Sequence, residues 1–169
     1  MSSEIMSLEM DVFCLLLLIR ILYQMYINRE QNDHWNYFYY TIAWACVYLF
    51  MDAIWIMNVK HLLTFSKIQS GIFNSFYFCS LAMLVCSWYV YVQKTLHSAV
   101  LKHKKILVLT FIPLIFFIGS SLLSYWTHGL FVIDQAGNYH RGKLLPFYFL
   151  ILFAYILYPV SYTHLTLPT

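Results

Sequence analysis

Long apolar runs separated by short polar connections constrain this chain more than any other feature. Crossing roughly 30 Å of hydrocarbon takes about 20 residues at the helical rise of about 1.5 Å per residue. The runs are apolar on all sides, so we predict helices and not the alternating strands of a barrel. Five spans are predicted, at about Ile5–Ile27, Phe38–Met57, Ile72–Val92, Ile106–Trp126 and Leu144–Tyr158.

The composition excludes most other classes of protein. Of the 169 residues, 62% are hydrophobic and only 10% are charged, whereas a soluble domain carries roughly 25% charged residues. So few charges cannot cover a water-soluble surface, and so apolar a chain is not disordered. The net charge of +3 is too small and scattered for a nucleic-acid partner. We predict an all-α, polytopic transmembrane helix bundle in the lipid bilayer of the cell membrane.

The end of the chain does not continue the apolar pattern. Residues 160–169 read VSYTHLTLPT, which is the translation of one reading frame of a transposon adapter used to prepare sequencing libraries, and the adapter also completes the codon for Pro159. We therefore expect 1–158 to be one natural membrane domain and 159–169 to be adapter-derived. The fifth span is then cut about four or five residues short, and the natural protein continues beyond it. The alternative is a genuine polar segment after that span.

Basic residues predict the orientation of the spans. The densest basic connection, between the third and fourth spans, contains Lys94, Lys102, Lys104 and Lys105. Lys and Arg are enriched in cytoplasmic connections, so we place this one in the cytoplasm. Alternation then puts the N-terminus and the connection between the fourth and fifth spans outside the cell. A cytoplasmic C-terminal domain requires five or seven spans.

The connection from Leu130 to Gly142 has a strand-like pattern. Phe131, Ile133 and Tyr139 alternate with polar neighbours around a turn at residues 135–138. Such alternation around a turn containing Gly is typical of a β-hairpin. We predict a short extracytoplasmic hairpin between the fourth and fifth helices.

Asp52 is the most informative single residue because it is ionisable and lies within a span. Such a group costs at least about 2.5 kcal/mol at the bilayer centre. Counting from Phe38, it lies roughly 21 Å along the helix, near the outer interface, and about 10 Å from the level of Arg20, so we expect no direct pair. Asp52 either faces the bundle as part of a ligand pocket or gate, or locks helix packing or hydrates at the interface.

No metal or catalytic site is recognisable in the sequence, and no cofactor is expected in this fragment. The four cysteines lie inside spans without a metal-binding spacing, and we predict that they are apolar filler. His128 and His140 are candidate pH sensors, although solvated loop histidines are commoner. No nucleophile–base arrangement, phosphate loop or catalytic carboxylate pair is apparent, so the fragment does not read as an enzyme.

Three segments together resemble a known family. They are FVIDQAGNYHRG after an outward span, Asp52 with Trp55 late in the second span, and SWYVYVQKTL closing the third. The combination resembles the seven-span sensor regions that precede cytoplasmic GGDEF domains in bacteria. The family pattern I-D-x-x-N-x-Y-x-R-G-P matches Ile133, Asp134, Asn138, Tyr139, Arg141 and Gly142. This chain has Lys143 where the pattern has Pro, and it has one additional residue between Asp134 and Asn138 and none between Asn138 and Tyr139.

The resemblance implies a membrane-embedded sensory input module of a diguanylate cyclase, which makes cyclic di-GMP from two GTP. Magnesium and GTP would belong to the missing catalytic domain, the parent protein would be a homodimer, and the extracytoplasmic stimulus is unknown. The candidate sensory or packing residues are Asp52, Trp55, Asp134, Asn138, Tyr139, Arg141 and Gly142.

Three alternatives remain open at this point. Similar span regions also precede histidine kinases, which would change the output domain. A small transporter or channel would show charged or broken helices at the midplane and an internal repeat. A membrane-embedded enzyme would need paired catalytic residues, which the sequence does not show.

Overall fold

The computed structural model describes residues 3–27, 33–59, 62–63, 65–96, 104–135 and 139–166. Its elements, in chain order, are α1 (Ser3–Ile27), α2 (Asp33–Val59), α3 (Lys67–Thr95), α4 (Lys104–Thr127), β1 (Phe131–Ile133), β2 (Tyr139–Arg141) and α5 (Leu145–Thr166). The predicted fold class is confirmed: the chain is an all-α helix bundle with a two-stranded antiparallel hairpin between its fourth and fifth helices.

Four of the described helices are long and apolar enough to cross a membrane, namely α1 to α4. In α5 the apolar part runs from Leu145 to Tyr158 and is shorter than a span. Large apolar side chains are exposed along the helices, including Leu16, Leu109 and Leu150, and lipid tails are the medium that such faces suit. The helix of α5 continues through Pro159 to Thr166; the adapter origin of 159–169 stays a prediction.

Helix α3 is the centre of the bundle and contacts α2, α4 and α5, whereas α1 packs against α2. Small and polar side chains lie buried on α3, among them Ser70, Gly71 and Asn74. Small residues let helix backbones approach closely in a membrane. At Gly71 a Cβ atom would lie 2.3 Å from the ring of Tyr125 on α4, so the absence of a side chain sets the α3–α4 distance.

The buried apolar core gathers where α3, α4, α5 and the hairpin meet. Phe78, Phe117, Phe131 and Tyr148 form its aromatic centre, with Tyr148 packed edge-on against both Phe78 and Phe117. The Tyr148 hydroxyl also donates a hydrogen bond to the Phe78 carbonyl at 2.5 Å. This contact fixes α5 against α3 directly below the hairpin.

Candidate functional site

The register of the hairpin decides which of its side chains face the bundle. Phe131 pairs with Arg141, Val132 with His140, and Ile133 with Tyr139. Alternate residues of a strand share a face, and directly paired residues share it too. Phe131 and Ile133 are buried, so Tyr139 and Arg141 are on the face turned toward the helices, where Tyr139 is half-buried and Arg141 is exposed. Most of the predicted turn, residues 136–138, lies outside the described residues, and Asn138 is one of these three.

Ser124 of α4 anchors the start of the hairpin. Its hydroxyl oxygen accepts hydrogen bonds from the backbone N–H groups of Leu130 (2.9 Å) and Phe131 (3.0 Å). The same hydroxyl lies 3.4 Å from the Phe131 carbonyl, to which it donates. Ser124 is fully buried, at 0% exposure, so this one side chain satisfies backbone groups that water does not reach.

Between α4 and β1 the chain turns sharply at His128, whose φ is 55°. A non-glycine residue in this left-handed region is uncommon and costs conformational energy. The His128 N–H donates to the Ser124 carbonyl at 2.8 Å, so Ser124 holds both the turn and the strand that follows. The His128 side chain is exposed, as solvated loop histidines are.

Gly142 joins the exit of the hairpin to its entry. Its N–H donates to the Leu130 carbonyl at 2.8 Å. A Cβ atom on Gly142 would lie 2.2 Å from the Gly129 carbonyl oxygen and 2.5 Å from the Leu130 carbonyl carbon. Both obstacles are backbone atoms, so only glycine allows the two segments to approach this closely.

Aromatic contacts connect the hairpin to two helices. The Tyr139 ring meets Trp55 of α2 edge-on, with centroids 5.9 Å apart at 90°, and Phe131 stacks on Phe78 of α3 at 6.0 Å and 13°. Trp55 in turn stacks on Tyr77 at 6.2 Å and 18°. Burial raises the pKa of the Tyr139 phenol, while the positive charge of Arg141 acts in the opposite direction.

A cleft of about 450 Å³ lies beneath the hairpin, within the range of about 300–1,000 Å³ that is typical of small-molecule sites. Four of the predicted residues line it: Trp55, Tyr139, Arg141 and Gly142. The rest of the described lining is contributed by Tyr77, Phe78, Leu145, Pro146 and Phe149. Arg141 is the one charged residue among these nine, so the cleft combines apolar walls with a single guanidinium group.

Asp52 lies one helical turn before Trp55 on α2 and is not among the described residues that line the cleft. Its carboxyl group lies near the Tyr77 hydroxyl on α3 and the Asp11 carboxyl on α1. Tyr77 also shares a hydrogen bond of 3.3 Å with the Tyr48 hydroxyl. Asp52 therefore lies on the side of α2 that is turned toward α1 and α3.

Sequence reasoning missed Asp11 as a partner of Asp52. The sequence analysis recognised no catalytic carboxylate pair and gave Asp11 no role. The signal was the depth of the two residues: Asp11 lies about 12 Å after the start of α1 and Asp52 about 10 Å before the end of α2, by the helical rise. Consecutive antiparallel helices bring such positions to the same level. Arg20, by contrast, is exposed on α1.

Asp134 belongs to a different face of the hairpin. One of its carboxylate oxygens lies 3.4 Å from His140 Nε2, with side-chain exposures of 36% and 62%. A side-chain contact this exposed adds little stability. The structure therefore separates Asp134 from the cleft, although both belong to the same sequence motif.

The cysteines and other metal-ligating residues form no cluster in the described ranges. All four cysteines are free and half-buried. Among the described residues there is no group of three or more His, Cys, Asp or Glu that could hold a metal ion.

Comparisons of the chain with family models, curated proteins and solved structures found no match.

Proposed function

We propose that this chain is the membrane-embedded sensory input module of a signal-transduction protein, multi-pass and with its N-terminus and hairpin outside the cell. The observation that carries this proposal is the cleft. Hairpin residues form one wall, while α2, α3 and α5 contribute the others. An external ligand in the cleft would therefore contact one extramembrane element and three helices at once.

The contacts at the cleft offer a route for transmission. A ligand shifts an equilibrium between two helix arrangements only by its differential affinity for them. In this site the Tyr139–Trp55 and Phe131–Phe78 contacts join the hairpin to α2 and α3, and such interfaces repack in discrete steps. Ligand binding between these rings would alter how the helices pack.

The output follows from the resemblance of the motif residues to the sensor regions before GGDEF domains. We propose that the parent protein is a diguanylate cyclase and that the input module controls how two catalytic domains meet in a homodimer. GTP and magnesium would be bound by those domains.

The decisive test is the uninterrupted genomic reading frame beyond Tyr158. We expect it to continue through two more spans into a GGDEF domain. A histidine kinase domain in that position would support sensory input and contradict the cyclase. A stop codon soon after a completed fifth span, with no soluble domain, would remove the main support for signalling.

A second candidate function is a small proton-coupled transporter, and the pairing of Asp11 with Asp52 favours it. Paired carboxylates within spans are a recurring feature of proton pathways. Proteoliposomes containing the full chain and a pH-sensitive dye distinguish the two functions. A proton flux that Asp52→Asn abolishes supports the transporter, whereas a sensor leaves the dye signal at the level of empty liposomes.

A further inference from the structure

We propose, resting on the function proposed above, that the cleft beneath the hairpin binds a free small organic anion with a flat apolar body, such as an aromatic carboxylate. The site is defined by Trp55, Tyr77, Tyr139, Arg141 and Phe149. The charge, shape and position of these groups each favour this class of ligand.

The charge of the lining selects an anion. Arg141 is the one charged group among the described lining residues, and guanidinium binds carboxylate through two parallel hydrogen bonds. The first residues of α5, Leu145 and Pro146, also line the cleft, so the positive end of that helix dipole lies at the site. An ammonium ligand would meet unfavourable charge from both.

The other charged groups nearby do not occupy the cleft. His140 is on the opposite face of the hairpin, where it lies beside Asp134. Lys143 is exposed, as Arg141 is, but it is not part of the described lining. Asp52 is not part of the described lining, and its carboxyl group lies near the hydroxyl of Tyr77, which is a lining residue.

The aromatic side chains that line the cleft favour a ligand with a flat ring system. Trp55 and Tyr77 are stacked within 18° of parallel, and Tyr139 stands perpendicular to Trp55. Three rings in this arrangement offer both a face and an edge to a planar guest, which are the favoured geometries of aromatic contact. The volume of about 450 Å³ suits a molecule of one or two rings better than a lipid with two acyl chains.

The test uses the full chain in nanodiscs of zwitterionic phosphatidylcholine and measures binding by isothermal titration calorimetry. The probes are benzoate, 2-naphthoate and indole-3-acetate, each compared with its neutral amide, and tryptamine as the cation. We expect at least one carboxylate to bind about tenfold tighter than its amide, because charge-assisted hydrogen bonds are the stronger ones. Tryptamine should bind more weakly than either.

Substitutions assign the selectivity to Arg141. Arg141→Gln should reduce carboxylate affinity about tenfold, to that of the amide, and Arg141→Lys should retain part of it. Lys143→Gln is the matched control, since it removes the same charge two residues away, outside the cleft, and it should leave all affinities unchanged. Far-ultraviolet circular dichroism and gel filtration check that each variant is folded.

Several outcomes would overturn the proposal. They are absence of binding for all three carboxylates at millimolar concentration, equal affinity for acids and amides, or an equal loss in Lys143→Gln. A nanodisc that contains anionic phosphatidylglycerol tests whether the natural ligand is a lipid headgroup. If this lipid displaces the carboxylate probe, the proposal of a free ligand is wrong. If no carboxylate binds but a GGDEF domain lies downstream, the proposed class of ligand is wrong and the proposed sensory function stands. If the reading frame encodes no signalling domain, the proposed function itself is wrong.

Discussion

Ser124 and Gly142 hold the hairpin to the bundle through features that larger residues lack. The Ser124 hydroxyl forms hydrogen bonds with backbone groups of Leu130 and Phe131. Gly142 has no Cβ atom, so its backbone can lie close to that of Gly129 and Leu130. The motif pointed to Gly142, but nothing distinguished Ser124 from the other serines of the spans. Its role depends on the path of the chain after α4, which local sequence patterns do not contain.

Replacing Ser124 with Ala should destabilise the hairpin end of the protein. Two buried N–H groups lose their acceptor, so the free energy of unfolding should fall by about 1–3 kcal/mol. Ser121→Ala is the control, because Ser121 is equally buried on the same helix but bonds to its own helix at the Phe117 carbonyl. Unfolding in sodium dodecyl sulfate, followed by tryptophan fluorescence, measures both. Equal losses would contradict the anchoring role.

Gly142→Ala should push the two ends of the hairpin apart, because its Cβ would overlap backbone atoms. Overpacking of this kind costs about 1–3 kcal/mol. At Gly119 nothing lies within 4 Å of an added Cβ, and Gly119→Ala should be neutral or stabilising by up to about 1 kcal/mol through helix propensity. The same unfolding assay compares them, and a Gly142→Ala protein as stable as the wild type would refute the close approach.

At the level of elements, apolar runs located the helices but not their ends. Helix α3 begins at Lys67, earlier than the predicted Ile72, because a capping box precedes the apolar run. The Gln69 N–H donates to Ser66 Oγ at 3.4 Å, and the Ser66 N–H donates to the Gln69 side chain at 2.9 Å. The hairpin was predictable from its period of two, whereas its packing against Trp55 and Phe78 depends on tertiary contacts.

Ser66→Ala should fray the first turn of α3. Loss of an N-cap costs about 1 kcal/mol, so the Gln69 and Ser70 amides should exchange with deuterium roughly five times faster. Ser87→Ala is the control, since the Ser87 hydroxyl donates within the helix, to the Leu84 carbonyl. Unchanged exchange at Gln69 would contradict the cap.

At the level of the whole molecule, the hydrophobicity of the sequence was sufficient to predict the class of fold. It was not sufficient to predict that α3 lies at the centre of the bundle. Every span is apolar all round, so its sequence does not show which face meets which neighbour. The buried Ser70, Gly71 and Asn74 mark α3 as the packing centre only once the neighbours are known. For the same reason the Asp11–Asp52 pair required the structure.

The orientation of the whole chain is tested by reporter fusions. Alkaline phosphatase, active only outside the cytoplasm, should be inactive after Lys105 and active after Asn138, because the basic connection is retained inside. A cytoplasmic reporter such as β-galactosidase should give the complementary pattern at both positions. The reverse result would overturn the proposed orientation while leaving the helix bundle unaffected.

Only three residues, 142–144, separate the end of β2 from the start of α5, and Gly142 and Leu144 are both bonded to the other end of the hairpin. This short, hydrogen-bonded connection leaves little freedom for β2 and α5 to move relative to each other. A change in the tilt of the two-stranded ribbon would therefore change the tilt of the α5 axis as well. A flexible spacer inserted after Lys143 would uncouple the two motions, so that the ribbon could reorient while α5 kept its direction.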